Sequence, residues 1–296
     1  MATAYRAFEV RKLLPAIGSS SFLARAVPAA PMAGERFRAG ALQQPLFQFV
    51  ERGKPMPLLR ELTGTLDFDC PVRDIRQGVF HTAVLARRCG LAASLPRDAL
   101  RQEPPLVSEP GLLLEKNAQE LAALAFSSSL LEAAIGMAAI NALLPVNETA
   151  LVERNAGDIL LEKGAGKNVA VIGHFPFLPK LRERAANLWV LENNPQEGDF
   201  GPQQAGKYLP QADVVAITGT SITNHTFDDL IGLCQPKAYV LMLGDSVPLS
   251  QLLFDYRVAA LCGTIVTDAE KVLRCVSQGG NYRQIQGVKR VTLLKA

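Results

Sequence analysis

The segment NVAVIG at residues 168–173 is the first unbroken apolar run in the C-terminal half of this chain, and it is the most informative about the fold. Similar unbroken apolar runs follow it: LWVLEN at 188–193, DVVAITG at 213–219, KAYVLMLG at 237–244 and VAALCGTIV at 258–266. Strands of a parallel sheet carry such runs because helices cover both faces of the sheet. Helix-compatible segments separate the runs, so the sequence predicts an α/β domain with a Rossmann-like, doubly wound parallel sheet. The last run, VKRVTLLK at 288–295, is predicted as its edge strand.

The pattern upstream is different. Residues 71–95 hold short β-like runs interrupted by glycines, which predict two or three strands of an antiparallel hairpin. Residues 96–110 are polar and rich in proline and are predicted as a loop. Residues 115–144 predict two helices, broken by the serines at 127–129, which are N-cap candidates for the second helix. Its many alanines allow another backbone to approach closely. Residues 146–166 are predicted as a connection.

These patterns divide the chain into three predicted parts. Residues 1–60 form an N-terminal extension, residues 61–150 a smaller α+β domain, and residues 151–296 the α/β domain. Residues 1–40 carry six basic and two acidic residues. An organellar transit peptide shares that composition, but we favour an irregular extension.

Composition narrows the functional class. The chain has 296 residues with 48% hydrophobic residues, 6% aromatic residues and a net charge of +3. Basic residues form no concentrated stripe after residue 40, and aromatic residues are scarce, so a nucleic-acid partner is not expected. Five dispersed cysteines without a CxxC pair favour reduced thiols and a cytoplasmic location. No apolar run reaches 18 residues, so no membrane span is expected. The sequence specifies no oligomeric state and is compatible with a dimer.

Candidate site residues follow the predicted parallel strands, because ligands bind beyond the carboxyl ends of such strands where the strand order reverses. The first loop is GHFPF, the second ENNPQEGD, the third GTSITNHT and the fourth GDSVPLS. Predicted ligand-binding residues in these loops are Gly173, His174, Phe175, Pro176, Glu192, Asn193, Asp199, Gly219, Thr220, Thr223, Asn224 and Ser246. The third loop is the richest in hydrogen-bonding groups and precedes a predicted helix at FDDLIGL. Thr223 or Asn224 would serve as its N-cap, although capping alone needs only one residue.

Several familiar chemistries are disfavoured. The first loop lacks GxGxxG, so NAD is not expected. The GAGK at 164–167 precedes a strand and is followed by neither Ser nor Thr, so it is not a phosphate-binding P-loop. No serine sits in a GxSxG elbow. Two histidines, His174 and His225, follow strands of the same sheet and could join Glu192 around a transition-metal ion.

At this point the sequence resembles a known family. The runs VAVIGHFPFLPKL, LWVLENNPQEGDF, LPQADVVAITGTSITNHTFDDL and MLGDSVPLSQLLFDY resemble the "putative heavy-metal chelation domain", domain of unknown function 364. Upstream, DIRQGVFHTAVL and AAIGMAAINALL resemble its companion, domain of unknown function 4213. The resemblance implies an enolase-N-terminal-like α+β domain packed on the Rossmann-like domain, with a cleft between them. It adds Gly78 and Asn141 to the ligand-binding positions. Arg257 departs from the Gly, and Asp245 from the Pro, that related sequences tend to carry.

Three functions follow as hypotheses. The first is a protein that binds a metal ion or metal chelate in the interdomain cleft, for metal handling or cofactor maturation. The second is an enzyme acting on a small anionic or nucleotide-like metabolite in the same cleft. The third is a non-catalytic sensor of such a metabolite.

Overall fold

A computed structural model describes residues 55–102 and 106–295. The predicted extension therefore lies outside the described residues except for positions 55–60, and so does the transit-peptide interpretation of residues 1–40.

The upstream half is built on a small antiparallel sheet. Its strands run in the order β1 (Asp74–Gln77), β2 (His81–Leu85), β3 (Cys89–Ala93). The predicted hairpin is confirmed with three strands. The helices of this half are α1 (Pro57–Gly64), α2 (Pro96–Ala99), α3 (Ala118–Ala123) and α4 (Leu130–Leu143).

Two details of these helices differ from the sequence prediction. The region 96–110 is not all loop, because a proline starts the one-turn helix α2. Helix α4 begins after Ser129 as predicted, but the Ser129 side chain does not cap it and instead donates to the carbonyl of Leu106.

Helix α4 packs closely on the small sheet because both carry small residues at the contact. An ideal Cβ placed on Gly90 of β3 would lie 2.2 Å from the carbonyl oxygen of Ala138. The helix also approaches the segment after α3 closely, since an ideal Cβ on Gly136 would lie 1.9 Å from the backbone nitrogen of Ala125. The close backbone approach predicted from the alanine-rich helix is confirmed.

The downstream half is built on a seven-stranded sheet. Its strands are β4 (Leu151–Val152), β5 (Asn168–Ile172), β6 (Asn187–Leu191), β7 (Val214–Thr218), β8 (Tyr239–Leu243), β9 (Val258–Val266) and β10 (Val288–Leu294). Its helices are α5 (Ala156–Lys163), α6 (Leu178–Arg184), α7 (Ala205–Tyr208), α8 (Thr220–Thr223), α9 (Phe227–Leu233) and α10 (Ala269–Ser277).

The order of the large sheet is β4-β10-β9-β8-β7-β5-β6. The five predicted strands from β5 to β9 are all present and parallel. Strands β10 and β4 are antiparallel to their neighbours, so the sheet is mostly rather than wholly parallel. The prediction of β10 as an edge strand is wrong, because β4 pairs beyond it.

The predicted connection at 146–166 also holds more structure than expected. It contains β4 and helix α5, whose first turn is capped by the Asn155 side chain accepting from the Gly157 amide at 2.7 Å. That helix buries Ile159 and Leu160 against the sheet, so it is part of the core rather than a linker.

Both faces of the large sheet are covered. Along β5, Val169 and Val171 pack with α5 and α6, whereas Ala170 lies in the core on the opposite face with residues of α9 such as Phe227. The alternation follows from the two-residue period of a strand. Burying each large apolar side chain of this kind contributes about 1.5–3 kcal/mol.

The two halves share a core through α10. This helix follows β9 of the large sheet, yet its Val272 and Val276 pack against Ala83 and Leu91 of the small sheet. The small sheet is therefore covered by α4 on one face and by α10 on the other. Both sheets belong to one compact unit.

The departure at Arg257 has a structural reason. Its backbone adopts φ of 64°, a left-handed conformation that glycine adopts most easily. The guanidinium donates to the carbonyl oxygens of Cys234, at 3.1 Å, and of Ile231, at the end of α9. Carbonyls at a helix C-terminus lack the usual amide partner four residues on, although Ile231 also accepts from the Cys234 backbone N–H at 3.3 Å. The Arg257 side chain therefore adds a capping contact that glycine could not supply.

Within the described residues, no helix combines the length and the apolar character needed to cross a bilayer. All five cysteines are free thiols.

Candidate functional site

The strand order of the large sheet reverses at β5. From β5 the chain moves first to β6 on one side and then to β7 on the other. The connections after β5 and β7 therefore diverge and leave a crevice at the carboxyl ends of these strands. Many of the predicted ligand-binding residues lie in the loops around this crevice.

The loop after β5 turns sharply at Gly173. Its φ is +105°, and an ideal Cβ there would lie 2.9 Å from the ring of Phe175. The Phe175 ring stacks on Phe177 at 5.4 Å, which holds the loop against the start of α6. His174 and Pro176 are exposed on its outer side. The glycine thus allows the loop to turn and present His174 to solvent.

His174 is held by a buried carboxylate. Its Nδ1 lies 2.9 Å from Oδ2 of Asp199, and the side chains are 39% and 1% exposed, respectively. The same oxygen accepts from the backbone N–H of Gln196 at 3.1 Å. A carboxylate on Nδ1 fixes the ring orientation and leaves Nε2 as the nitrogen available to a ligand. The loops after β5 and β6 therefore meet at this pair.

The loop after β6 is tied to the upstream half. Oε1 of half-exposed Glu192 accepts from the Asn194 backbone N–H at 3.3 Å, and Asn193 is exposed. The Asn194 side-chain amide donates to Oδ1 of Asp98 at 3.2 Å, and its oxygen accepts from Arg101. The α2 segment therefore forms one wall beside this loop. The sequence analysis does not identify Asp98 and Arg101, which lie 96 and 93 residues before Asn194 in the region predicted as a loop.

The loop after β7 begins at the crevice. Thr220 is half-buried, and its hydroxyl lies 3.0 Å from that of Thr218. Gly219 is buried against the loop after β8, where an ideal Cβ would lie 2.7 Å from the backbone nitrogen of Val247. Close packing of the two loops accounts for the glycine.

The rest of this polar loop makes internal contacts. Thr223 is fully buried in α8, and Asn224 accepts from the Thr226 hydroxyl at 2.7 Å. His225 has φ of 59°, and its Nε2 lies 2.8 Å from the carbonyl oxygen of Ala125. Helix α9 has Thr226 as its N-cap residue, so the predicted cap at Thr223 or Asn224 is wrong. The density of polar residues here reflects a further helical turn, α8, as well as the crevice.

Three predicted ligand-binding residues lie in contacts between the two halves or within the first. Ser246 is buried, and its hydroxyl accepts from the Ala93 N–H at 2.8 Å. An ideal Cβ on Gly78 would lie 2.1 Å from the carbonyl oxygen of Val276 at the end of α10. The Asn141 amide donates to the Leu91 carbonyl at 2.8 Å. Packing explains each residue, and a ligand role for any of them remains a prediction.

A second histidine–aspartate pair lies at the contact between the halves. Nε2 of His81 lies 3.0 Å from Oδ2 of Asp245, and the Thr264 hydroxyl donates to Oδ1 at 2.6 Å. Burial alone would raise the pKa of Asp245, but the hydrogen bond and charge of His81 and the hydrogen bond of Thr264 outweigh it and lower the pKa. No local sequence pattern indicates this pair, because its members are 164 residues apart.

A bare metal ion does not fit the donors that the described residues offer. No group of three or more His, Cys, Asp and Glu side chains within them is close enough to hold an ion. The proposed set of His174, Glu192 and His225 is therefore not gathered into one cluster. Burial raises the pKa of Cys89 to about 12 and of Cys234 to about 11, which opposes the thiolate that a soft metal needs.

Comparison with known proteins matches each half to its own family model. Residues 155–295 match the DUF364 model and residues 60–144 match the DUF4213 model, both described as "Putative heavy-metal chelation". An uncharacterised protein of Methanocaldococcus jannaschii is 24% identical over 169 residues, covering 55% of this chain and 65% of its own. The match thus spans slightly less than two thirds of that relative.

Two solved structures share the fold. A DUF364-family protein of unknown function from Desulfitobacterium hafniense has a TM-score of 0.71 and 25% identity, covering 80% of this chain and 98% of its own. A second from Pyrococcus horikoshii has a TM-score of 0.70 and 21% identity, covering 81% and 99%, respectively. These likenesses support the α/β fold with its large, mostly parallel sheet and the smaller antiparallel sheet before it.

Proposed function

We propose that this chain, whose halves match two family models both described as "Putative heavy-metal chelation", binds a metal chelate, that is, a metal ion already held by a small molecule. The ligand lies over the carboxyl ends of β5, β6 and β7. In this proposal the large sheet serves as a Rossmann-like platform, and the enolase-N-terminal-like upstream half covers it through α2.

The pairing of His174 with Asp199 carries the proposal. The Asp199 side chain is almost completely buried, whereas the imidazole that it holds is 39% exposed beside the crevice. Histidines that bind metals usually donate their second ring N–H to a carboxylate, which sets the tautomer and makes the ligating nitrogen more basic. The pair therefore offers one oriented nitrogen donor, Nε2, to an incoming metal.

One protein donor is too few for a bare ion but sufficient for a chelate. Structural metal sites usually take four protein ligands, and catalytic zinc sites take three. A chelating molecule supplies the remaining donors itself and leaves an open coordination position for His174. Neighbouring groups such as Asn193 and Thr220 would then donate hydrogen bonds to the polar edges of the chelator.

An enzyme or sensor that binds a small anionic or nucleotide-like metabolite is the second candidate. Half-exposed Glu192 favours it, because an acidic residue after the second strand binds ribose hydroxyls in nucleotide-binding sheets of this kind. Such a ligand would bind without metal, so the two functions separate in a single titration series.

The first test is calorimetric titration of untagged protein with Ni²⁺ alone, Ni²⁺–nitrilotriacetate and metal-free nitrilotriacetate. We expect the chelate to bind more tightly than the ion or the chelator alone. His174→Ala should abolish that preference. Asp199→Asn should weaken chelate binding about 10- to 100-fold, the usual cost of losing a group that orients a metal-binding histidine.

Asp213→Asn is the matched control. Asp213 lies at the amino end of β7, where its carboxylate accepts from the Asn168 N–H at 3.0 Å. The proposed site lies at the other end of the strands. It should bind the chelate like the wild type. Equal binding of the chelate by wild type and His174→Ala would contradict the proposal. If His225→Asn also lowers the affinity for the chelate, the metal set of His174, Glu192 and His225 would be supported instead.

A further inference from the structure

Arg101 places a positive charge beside the proposed site, and the sequence analysis does not identify this residue. Arg101 follows α2 and is exposed, and its guanidinium donates to the side-chain oxygen of Asn194 in the loop after β6. The contact joins two segments 93 residues apart in the chain. Arg101 thus belongs to the wall that the upstream half places beside this loop.

The orientation of this arginine is set by its neighbours. The side-chain N–H of Asn194 donates to Oδ1 of Asp98 at 3.2 Å. This contact turns the side-chain oxygen of Asn194 toward Arg101. The backbone N–H of Asn194 donates to Glu192 at 3.3 Å, so the whole residue is fixed. Leu95, immediately before α2, adopts the left-handed φ of 50° that turns the segment into this position. The chain therefore holds the guanidinium against the loop rather than leaving it to extend into solvent.

The charge of Arg101 is not neutralised by this contact. Its partner Asn194 is a neutral amide, and within the described ranges no carboxylate forms an ion pair with Arg101. A guanidinium has five N–H donors in a planar fork that matches a carboxylate or phosphate, and one hydrogen bond to Asn194 leaves most of them available. Arginine placed in this way favours a planar anionic group.

We propose that Arg101 selects ligands that carry an anionic group, so that the chelate bound at the carboxyl edge is an anionic one, such as a metal polycarboxylate. The presence of a metal in the ligand rests on the proposed function, whereas the preference for an anionic group does not. It makes Arg101 a specificity-determining residue, separate from His174, which would contact the metal.

The test compares two nickel chelates that both leave coordination positions open but differ in charge. Ni²⁺–nitrilotriacetate is anionic and Ni²⁺–tris(2-aminoethyl)amine is cationic. Metal-free nitrilotriacetate serves as the third probe. Wild-type protein should prefer the anionic chelate, and Arg101→Gln should weaken its binding about 10- to 100-fold, as expected for a lost hydrogen bond to a charged group. Binding of the cationic chelate should not fall.

Arg97→Gln is the matched control, because Arg97 is exposed in α2 itself and its side chain makes no hydrogen bond or ion pair with another described residue. It removes the same charge and should leave affinity unchanged. Arg101→Lys keeps the charge without the fork and should bind between wild type and Arg101→Gln. Equal thermal midpoints for Arg101→Gln and Arg97→Gln would exclude unfolding as the cause.

The outcomes separate the two proposals. Equal binding of both nickel chelates by wild type and Arg101→Gln would overturn the role of Arg101 and leave chelate binding intact. Binding of metal-free nitrilotriacetate that requires Arg101, without added affinity for the nickel chelate, would overturn chelate binding and keep the role of Arg101. Binding of none of the three probes would overturn both.

Discussion

Replacing Asp245 with alanine is expected to lower the free energy of unfolding by about 1.5–3 kcal/mol, the usual contribution of a hydrogen bond to a charged group, because the buried carboxylate bonds both His81 and Thr264. His81 is 4% exposed, so its ring would remain buried without the carboxylate. Thr264 would also lose the acceptor of its hydroxyl. Urea unfolding of wild type and Asp245→Ala measures the difference.

A double variant distinguishes the loss of the attraction between the two side chains from the cost of leaving one buried polar group without its partner. His81→Leu combined with Asp245→Leu removes both partners, and such pairs are often replaced by apolar residues at little cost. We expect it to recover most of the stability that Asp245→Ala loses. Equal stability of Asp245→Ala and wild type would show that the pair contributes nothing to holding the halves together.

Stability should also depend on the protonation of Asp245. Because the fold lowers its pKa, the native state favours the carboxylate. This stabilisation is fully present above the ordinary pKa of 3.8 and is lost as the pH falls through the lowered value in the native protein. In acid titrations of unfolding, Asp245→Asn should remove that part of the pH dependence.

The second large effect is expected at Gly90. Alanine there places a methyl group within 2.2 Å of the Ala138 carbonyl oxygen and 2.3 Å of the Ala142 nitrogen. Both are backbone atoms, so α4 must move away from β3 as a unit. Overpacking usually costs about 1–3 kcal/mol, and we expect Gly90→Ala at the top of that range.

Gly232→Ala is the control for Gly90→Ala. Gly232 lies in α9, and nothing stands within 4 Å of an added Cβ. Alanine there should be neutral or stabilising by up to about 1 kcal/mol, because it favours the helix. If both variants unfold at the same urea concentration, close packing of α4 on β3 does not limit stability.

The sequence predicts the large sheet well because its strands are buried on both faces. The run 258–266 matches β9 residue for residue. Strand β4 has only two residues and no periodicity to detect. The sequence predicts a connection where α5 forms, because flanking glycines and polar residues obscure a short apolar stretch that Asn155 caps.

The site was predictable to the extent that one rule places strand-end loops together. That rule places His174 and Asp199 on neighbouring strand-end loops, and their side chains lie 2.9 Å apart. It also grouped His225 with them, whereas tertiary packing directs that ring to the carbonyl of Ala125, 100 residues away. Arg101 and His81 were missed for the same reason, because their partners are set by how the halves pack and not by local pattern.

The two-residue strand β4 has a consequence for solubility. It covers β10 only at Thr292 and Leu293, and the remaining outer edge carries Lys289 and Arg290. Unpaired strand edges recruit strands from other molecules, and lysine or arginine along the edge discourages this. Loss of β4 from the full chain would expose the apolar end of β10 and is expected to promote aggregation.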